Sequence, residues 1–105
     1  MSDYVAVFVT APSNEEAERI ATELLEKKLV ACANLVPRVT SLFWWEGKID
    51  RAEEVLMVMK TRRARLEEVT EAVIAAHSYE VCEVVALPIE GGSAPYLQWI
   101  DDSVS

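Results

Sequence analysis

The chain has no long apolar run. None of its hydrophobic stretches approaches the roughly 18 residues that cross a bilayer as a helix, which excludes a helical membrane span. Cysteine is scarce: Cys32 and Cys82 stand apart, with no C-x-x-C, so neither a disulfide framework nor a cysteine-based structural zinc site is present. Basic charge is also scarce, with 10 Lys and Arg against 18 Asp and Glu and a net charge of −8. Such a surface repels phosphate backbones and anionic membranes, so neither nucleic acid nor membrane is expected as a partner. Arg62-Arg63-Ala64-Arg65 is the one basic cluster and reads as a solvated helix start. The sequence has no Ser/His/Asp set, no Gly-rich phosphate loop and no H-E-x-x-H, so no enzymatic activity is expected. Met1–Tyr4 lacks a basic segment followed by an apolar block, and a cytoplasmic location is expected.

What the chain does have is apolar content, 51% of its 105 residues. One domain, residues 1–105, is the natural count. A chain of this size buries about 65% of its unfolded surface, enough for one core. The most distinctive stretch is Leu42-Phe43-Trp44-Trp45-Glu46-Gly47-Lys48-Ile49. Three large aromatics and two aliphatics surround a single turn, more apolar surface than a small subunit can cover alone. Surface of that kind marks an interface, so an obligate oligomer is expected.

Hydropathy patterning gives the elements. Tyr4 to Val9 is β-branched and aromatic on both faces, a buried strand. Ser13 with Glu16 forms a capping-box signature, and Ala17, Ile20, Ala21, Leu24 and Leu25 give the next helix its apolar face. Leu29–Val36 and Val39–Trp45 read as one extended run, bulged at Pro37, which lacks a ladder donor. Glu46-Gly47 turns the hairpin. The return strand covers Lys48-Ile49, loosens over Asp50–Glu53, is solid at Val55–Met59 and ends at Thr61. Leu66, Val69, Val73 and Ile74 define a second helix that closes near His77, followed by a strand over Val81–Ile89. Ser93 caps a short last helix with Pro95 in its first turn and Tyr96, Leu97, Trp99 and Ile100 inward.

The order β-α-β-β-α-β plus a terminal helix predicts an α+β fold: a ferredoxin-like sandwich with an antiparallel sheet in spatial order 4-1-3-2. The hairpin between its second and third strands is overlong and protrudes. Both long helices cover one sheet face, yet the first, third and fourth strands are apolar on both. Sheet-to-sheet association between subunits would cover the second face.

Several segments carry a family resemblance, in order and over nearly the whole chain. Thr10-Ala11-Pro12, Leu29-Val30-Ala31-Cys32-Ala33-Asn34, Ser41 through Lys48, Lys60-Thr61, His77-Ser78-Tyr79-Glu80-Val81-Cys82-Glu83 and Tyr96-Leu97-Gln98-Trp99-Ile100 resemble the CutA family of divalent-cation tolerance proteins. The resemblance implies a homotrimer of ferredoxin-like subunits, similar to the PII-type signalling proteins, with a cytoplasmic role in tolerance to copper and other divalent cations. This chain departs from the family in having Ser78 and Cys82 where prolines are usual, which restores two backbone donors and loosens the lead into the last strand. Val9 and Ala76 stand where some members proposed to bind copper carry a thiol and a second histidine.

The candidate metal ligands are His77, Cys82 and Glu83, for copper or another divalent cation and with no organic cofactor. His77 is the only histidine, and Cys82, Glu80 and Glu83 lie close to it in sequence. Thiolate suits Cu(I), while imidazole and carboxylate suit Cu(II). The bland alternative is a histidine that closes the second helix and bonds its last carbonyls. Cys32 reads as a core residue. Three functional readings stay open: a trimeric metal-responsive protein, a PII-like small-ligand sensor or docking trimer, and an enzyme of unknown reaction dependent on His77 or Glu46. An acylphosphatase-like activity would need an Arg in the loop after the first strand, and Thr10–Ser13 has none. An RNA-recognition module conflicts with the net charge of −8.

Overall fold

Strict alternation along the first strand decides the layering. In β1 (Tyr4–Ala11), Val5, Val7, Val9 and Ala11 are buried while the intervening residues are half-buried. The structure is a computed structural model describing residues 3–105; Met1 and Ser2, read above for targeting, lie outside the described residues. After β1 come α1 (Asn14–Glu26), β2 (Cys32–Trp45) and β3 (Lys48–Arg62). One 3-10 turn (Arg63–Arg65) then leads to α2 (Leu66–Ala76), β4 (Val85–Pro88) and α3 (Ala94–Ser103). The sheet order is β2-β3-β1-β4 with every pair antiparallel, the arrangement expected from the element order.

The core lies between the sheet and the two long helices. Val5, Val7 and Val9 meet Ile20 and Leu24 of α1, Met57 and Met59 of β3, and Val69 and Val73 of α2. Thr61, fully buried, donates its hydroxyl to the Leu29 carbonyl at 2.6 Å and ties β3 to the α1–β2 connection. Two apolar positions assigned inward from periodicity point out instead: Leu25 is 40% and Ile74 55% exposed. Both lie at the margin of their helical stripes.

On the other face, α3 covers only one end of the sheet. Ile100 and Val104 pack with Ala31, Tyr4 and Leu97, and the Tyr4 hydroxyl donates to Asp101 at 2.6 Å. Tyr96 and Trp99, expected inward, remain about two-fifths exposed. Cys32, expected in the core, is only partly buried on this same face; its thiol and the Tyr96 hydroxyl share a 3.6 Å hydrogen bond. The rest of the face stays open, with Val85 and Leu87 more than half exposed.

The β2–β3 hairpin stretches the molecule to 44 × 26 × 23 Å. Its two-residue turn has Glu46 at φ 48° and Gly47 at φ 78°, the paired positive angles of the hairpin turn that matches strand twist. The register shifts once, between Val36 and Val39, where Arg38 takes φ 61° beside Pro37, the bulge expected there. β3 does not loosen over Asp50–Glu53 and runs one residue beyond Thr61. Its pairing with β2 continues through these charged residues. Near the turn, Leu42, Trp44 and Ile49 are 65–73% exposed and Trp45 50%.

β4 is shorter than the expected Val81–Ile89. The Thr10 carbonyl, which would extend the β1–β4 ladder, instead meets the His77 ring at 2.7 Å. Residues 81–84 therefore approach β1 without pairing to it.

Candidate functional site

A corner forms where α2 ends and β1 stops. His77 is the C-cap of α2, its backbone N–H donating to Val73. The side chain does not return to the helix carbonyls. Its Nε2 faces the Thr10 carbonyl at 2.7 Å, while Nδ1 accepts from the Tyr79 backbone N–H at 3.0 Å. In the neutral ring these partners place the hydrogen on Nε2, because a carbonyl only accepts and an amide only donates. The side chain is fully buried, its ring tilted against Tyr79 at 4.8 Å between centroids.

Glu16 closes the corner from α1. Ser13 accepts the Glu16 N–H at 3.1 Å, one half of a capping box, but the Glu16 carboxylate turns away from the helix start. Its Oε2 accepts from the Ser78 N–H at 3.0 Å and the Ser78 hydroxyl at 2.9 Å, and lies 3.4 Å from His77 Nδ1. Burial pushes the carboxyl up, but the two Ser78 bonds, His77 and Arg19 together outweigh it and hold Glu16 below its ordinary value. The donor that Ser78 restores at a usual proline position is thus used. It fastens the lead into β4 rather than loosening it.

Beyond the corner, β1 ends at Ala11 opposite Val55, whereas β3 continues toward the hairpin tip. Residues 79–83 approach the space that β1 vacates. The Tyr79 hydroxyl donates to Glu54 at 2.9 Å, and Glu54 is 7% exposed. Burial, then the bond to Glu54, pushes the Tyr79 phenol up to about 12. A cleft of about 750 Å³ opens here, lined by Thr10, Phe43, Trp45, Glu54, Tyr79 and Glu83 among others.

The candidate ligands are distributed around this corner and are not assembled into a metal group. Among the described residues, no set of three His, Cys, Asp or Glu side chains is placed to hold a metal ion. Both His77 nitrogens are engaged. Cys82 packs against the core, and burial pushes its thiol up, away from the thiolate that metals require. Glu83 is exposed on the cleft rim. A single subunit therefore does not fit a metal at these three residues.

Glu54 and Tyr79 escaped the sequence reading. The inward alternation of Val55, Met57 and Met59 places Glu54 on the opposite face, but its burial depends on Tyr79, 25 residues away. Glu16 was legible as a cap and not as the partner of Ser78.

Comparison with known proteins adds the ancestry. Residues 5–103 match the family model described as CutA1 divalent ion tolerance protein. The chain is 53% identical over 98 residues to the divalent-cation tolerance protein CutA of Archaeoglobus fulgidus, covering 93% of this chain and 95% of that one. It is 48% identical over 99 residues to a Protein CutA homolog of Xenopus laevis, covering 94% of this chain and 66% of the relative. It spans 56% of the length of the chloroplastic Protein CutA 1 of Oryza sativa, at 46% identity over 99 residues and 94% of this chain. Among solved structures, the CutA1 of Oryza sativa superposes with a TM-score of 0.96 at 43% identity, over 99% of this chain and 95% of that one. The CutA of Archaeoglobus fulgidus, described as a periplasmic divalent cation tolerance protein, gives 0.94 at 51% identity, over 97% and 99%. Sequence and fold agree over nearly the whole chain, and the chain belongs to the CutA1 divalent ion tolerance family.

Proposed function

We propose that the protein acts as a cytoplasmic homotrimer in tolerance to divalent metal ions, copper among them, and does so without catalysing a reaction. The observation that carries this reading is the uncovered apolar surface: Leu42, Trp44, Trp45 and Ile49 on the hairpin, together with Val85 and Leu87 on the open face. Water contact at so many large side chains is costly, and association with other copies removes it. Cation binding belongs between subunits on this reading, because the described residues of one subunit include no ligand set. Glu83 on the cleft rim is the candidate ligand that remains accessible.

The cleft favours a second reading, a PII-like trimer that senses a small ligand or docks a partner. Its volume of about 750 Å³ lies within the range of small-molecule sites. One experiment separates the two. Copper and zinc are titrated calorimetrically into the reduced protein and its Glu83→Gln variant, with mass measured in the same buffer. Stoichiometric uptake by a trimer, weakened in the variant, is the expected result. A trimer with only weak, unsaturable uptake would move the assignment to the second reading, and a monomeric mass would remove both.

A further inference from the structure

We propose that the cleft between the hairpin base and residues 79–83 binds a small organic cation, a ligand with an ammonium or guanidinium group on an apolar stem. The proposal deepens the small-ligand reading above and rests on it. Three features of the cleft point to this chemistry.

The first is Glu54. It is 93% buried by its 7% exposure, and its hydrogen bond comes from the Tyr79 hydroxyl. Among the described residues, no ion pair includes it. A carboxylate held among protein groups is best complemented by a cation, and one neutral donor leaves that place open to a ligand in the cleft. The second feature is the sign of the lining. Glu80 and Glu83 join Glu54, and among the described residues no Lys, Arg or His lines the cleft. The third is the wall itself. Phe43 and Tyr79, neither of them assigned above to the subunit interface, contribute aromatic rings, whose electron-rich faces attract cations and whose area covers an apolar stem.

An inorganic ion fits less well. The carboxylates are not grouped for coordination, since no three of them are placed to hold a metal. A cleft of about 750 Å³ with aromatic walls is far larger than a bare ion needs. An anionic ligand, in turn, would meet three carboxylates and no counter-charge.

The test uses the assembled, reduced protein in amine-free buffer, with mass measured alongside. Agmatine, which carries a guanidinium and an ammonium on a four-carbon stem, is titrated calorimetrically. Pentanoate, 1-butanol and zinc are titrated separately. Saturable agmatine uptake at one per subunit is expected, exceeding that of pentanoate and butanol. Glu54→Gln keeps an acceptor for Tyr79 but removes the charge, and should weaken agmatine by at least about tenfold. Phe43→Leu should weaken it about two- to fivefold, and Glu26→Gln, on the exposed end of α1, should leave it unchanged. If Glu54→Gln does not fold, the wild-type preference for agmatine over pentanoate and the Phe43→Leu variant decide. Equal affinity for pentanoate, or agmatine binding indifferent to both cleft substitutions, overturns the cation while sparing the small-ligand reading. Uptake of zinc alone overturns this proposal and favours the metal reading. No uptake of any probe by a trimer of correct mass overturns both the cation and the small-ligand reading.

Discussion

At the scale of single residues, the three tyrosines report the molecule's polar contacts, and each is displaced in the same direction. Tyr4 is raised by its hydrogen bond to Asp101, Tyr79 by burial and by Glu54, and Tyr96 by its bond with Cys32. Folding therefore favours the protonated phenols. Their contribution to stability is complete below the ordinary value of 10.0 and is lost as pH rises through the folded values, ending near 12 for Tyr79. Tyrosinate absorbance should show no phenol ionising at 10 or below in the native protein, a single step near 10 in urea, and loss of the latest native step in Tyr79→Phe. A native phenol that titrates at its ordinary value would contradict the contacts described. None of these contacts was legible in the sequence, because each joins distant segments: Tyr4 to Asp101, Cys32 to Tyr96, Glu54 to Tyr79. His77 illustrates the same limit. Its place at the end of α2 was readable, but its carbonyl partner, Thr10, comes from 67 residues away.

At the scale of elements, local rules carried most of the fold. Period-two burial in β1, the Ser13 cap, the Pro37 bulge and the Glu46-Gly47 turn depend on neighbours a few residues apart, and all are present. The failures lie where a distant group competes with the local pattern. β4 is short because His77 takes the Thr10 carbonyl, and Ile74 and Leu25, at the margin of their helical stripes, are exposed. The turn itself provides a clean test. At Gly47 an added Cβ meets no atom within 4 Å, so substitution there acts through the backbone alone. Gly47→Ala should cost about 1–2 kcal/mol in urea unfolding, and Gly47→Asn clearly less, since Asn tolerates the left-handed region. Equal losses for the two would mean that the conformation at φ 78° is not what the position demands.

At the scale of the whole molecule, the core and the assembly surface are separate. The main cluster of buried residues lies between the sheet and the long helices, while the two most exposed aromatics, Trp44 and Trp45, lie on the protruding hairpin. Truncation at the hairpin should therefore affect association before it affects the subunit fold. On the proposed assembly, Trp45→Ala should weaken association by about 2 kcal/mol or more and leave the subunit's circular dichroism unchanged, as read by sedimentation across a dilution series. An unaltered trimer at every dilution would remove Trp45 from the interface. One further consequence follows from the hairpin's construction. β3 is a single strand of 15 residues that begins at the tip and ends in the core. The one register shift in its pairing with β2 lies between Val36 and Val39, opposite Leu56 and Glu54. A bulge bends and twists its strand, and the paired arms beyond it run about 20 Å from Glu54 to the turn, at roughly 3.3 Å per residue. The direction of the arm is therefore set at its base, and a small difference in angle there corresponds to a larger displacement of the aromatic tip.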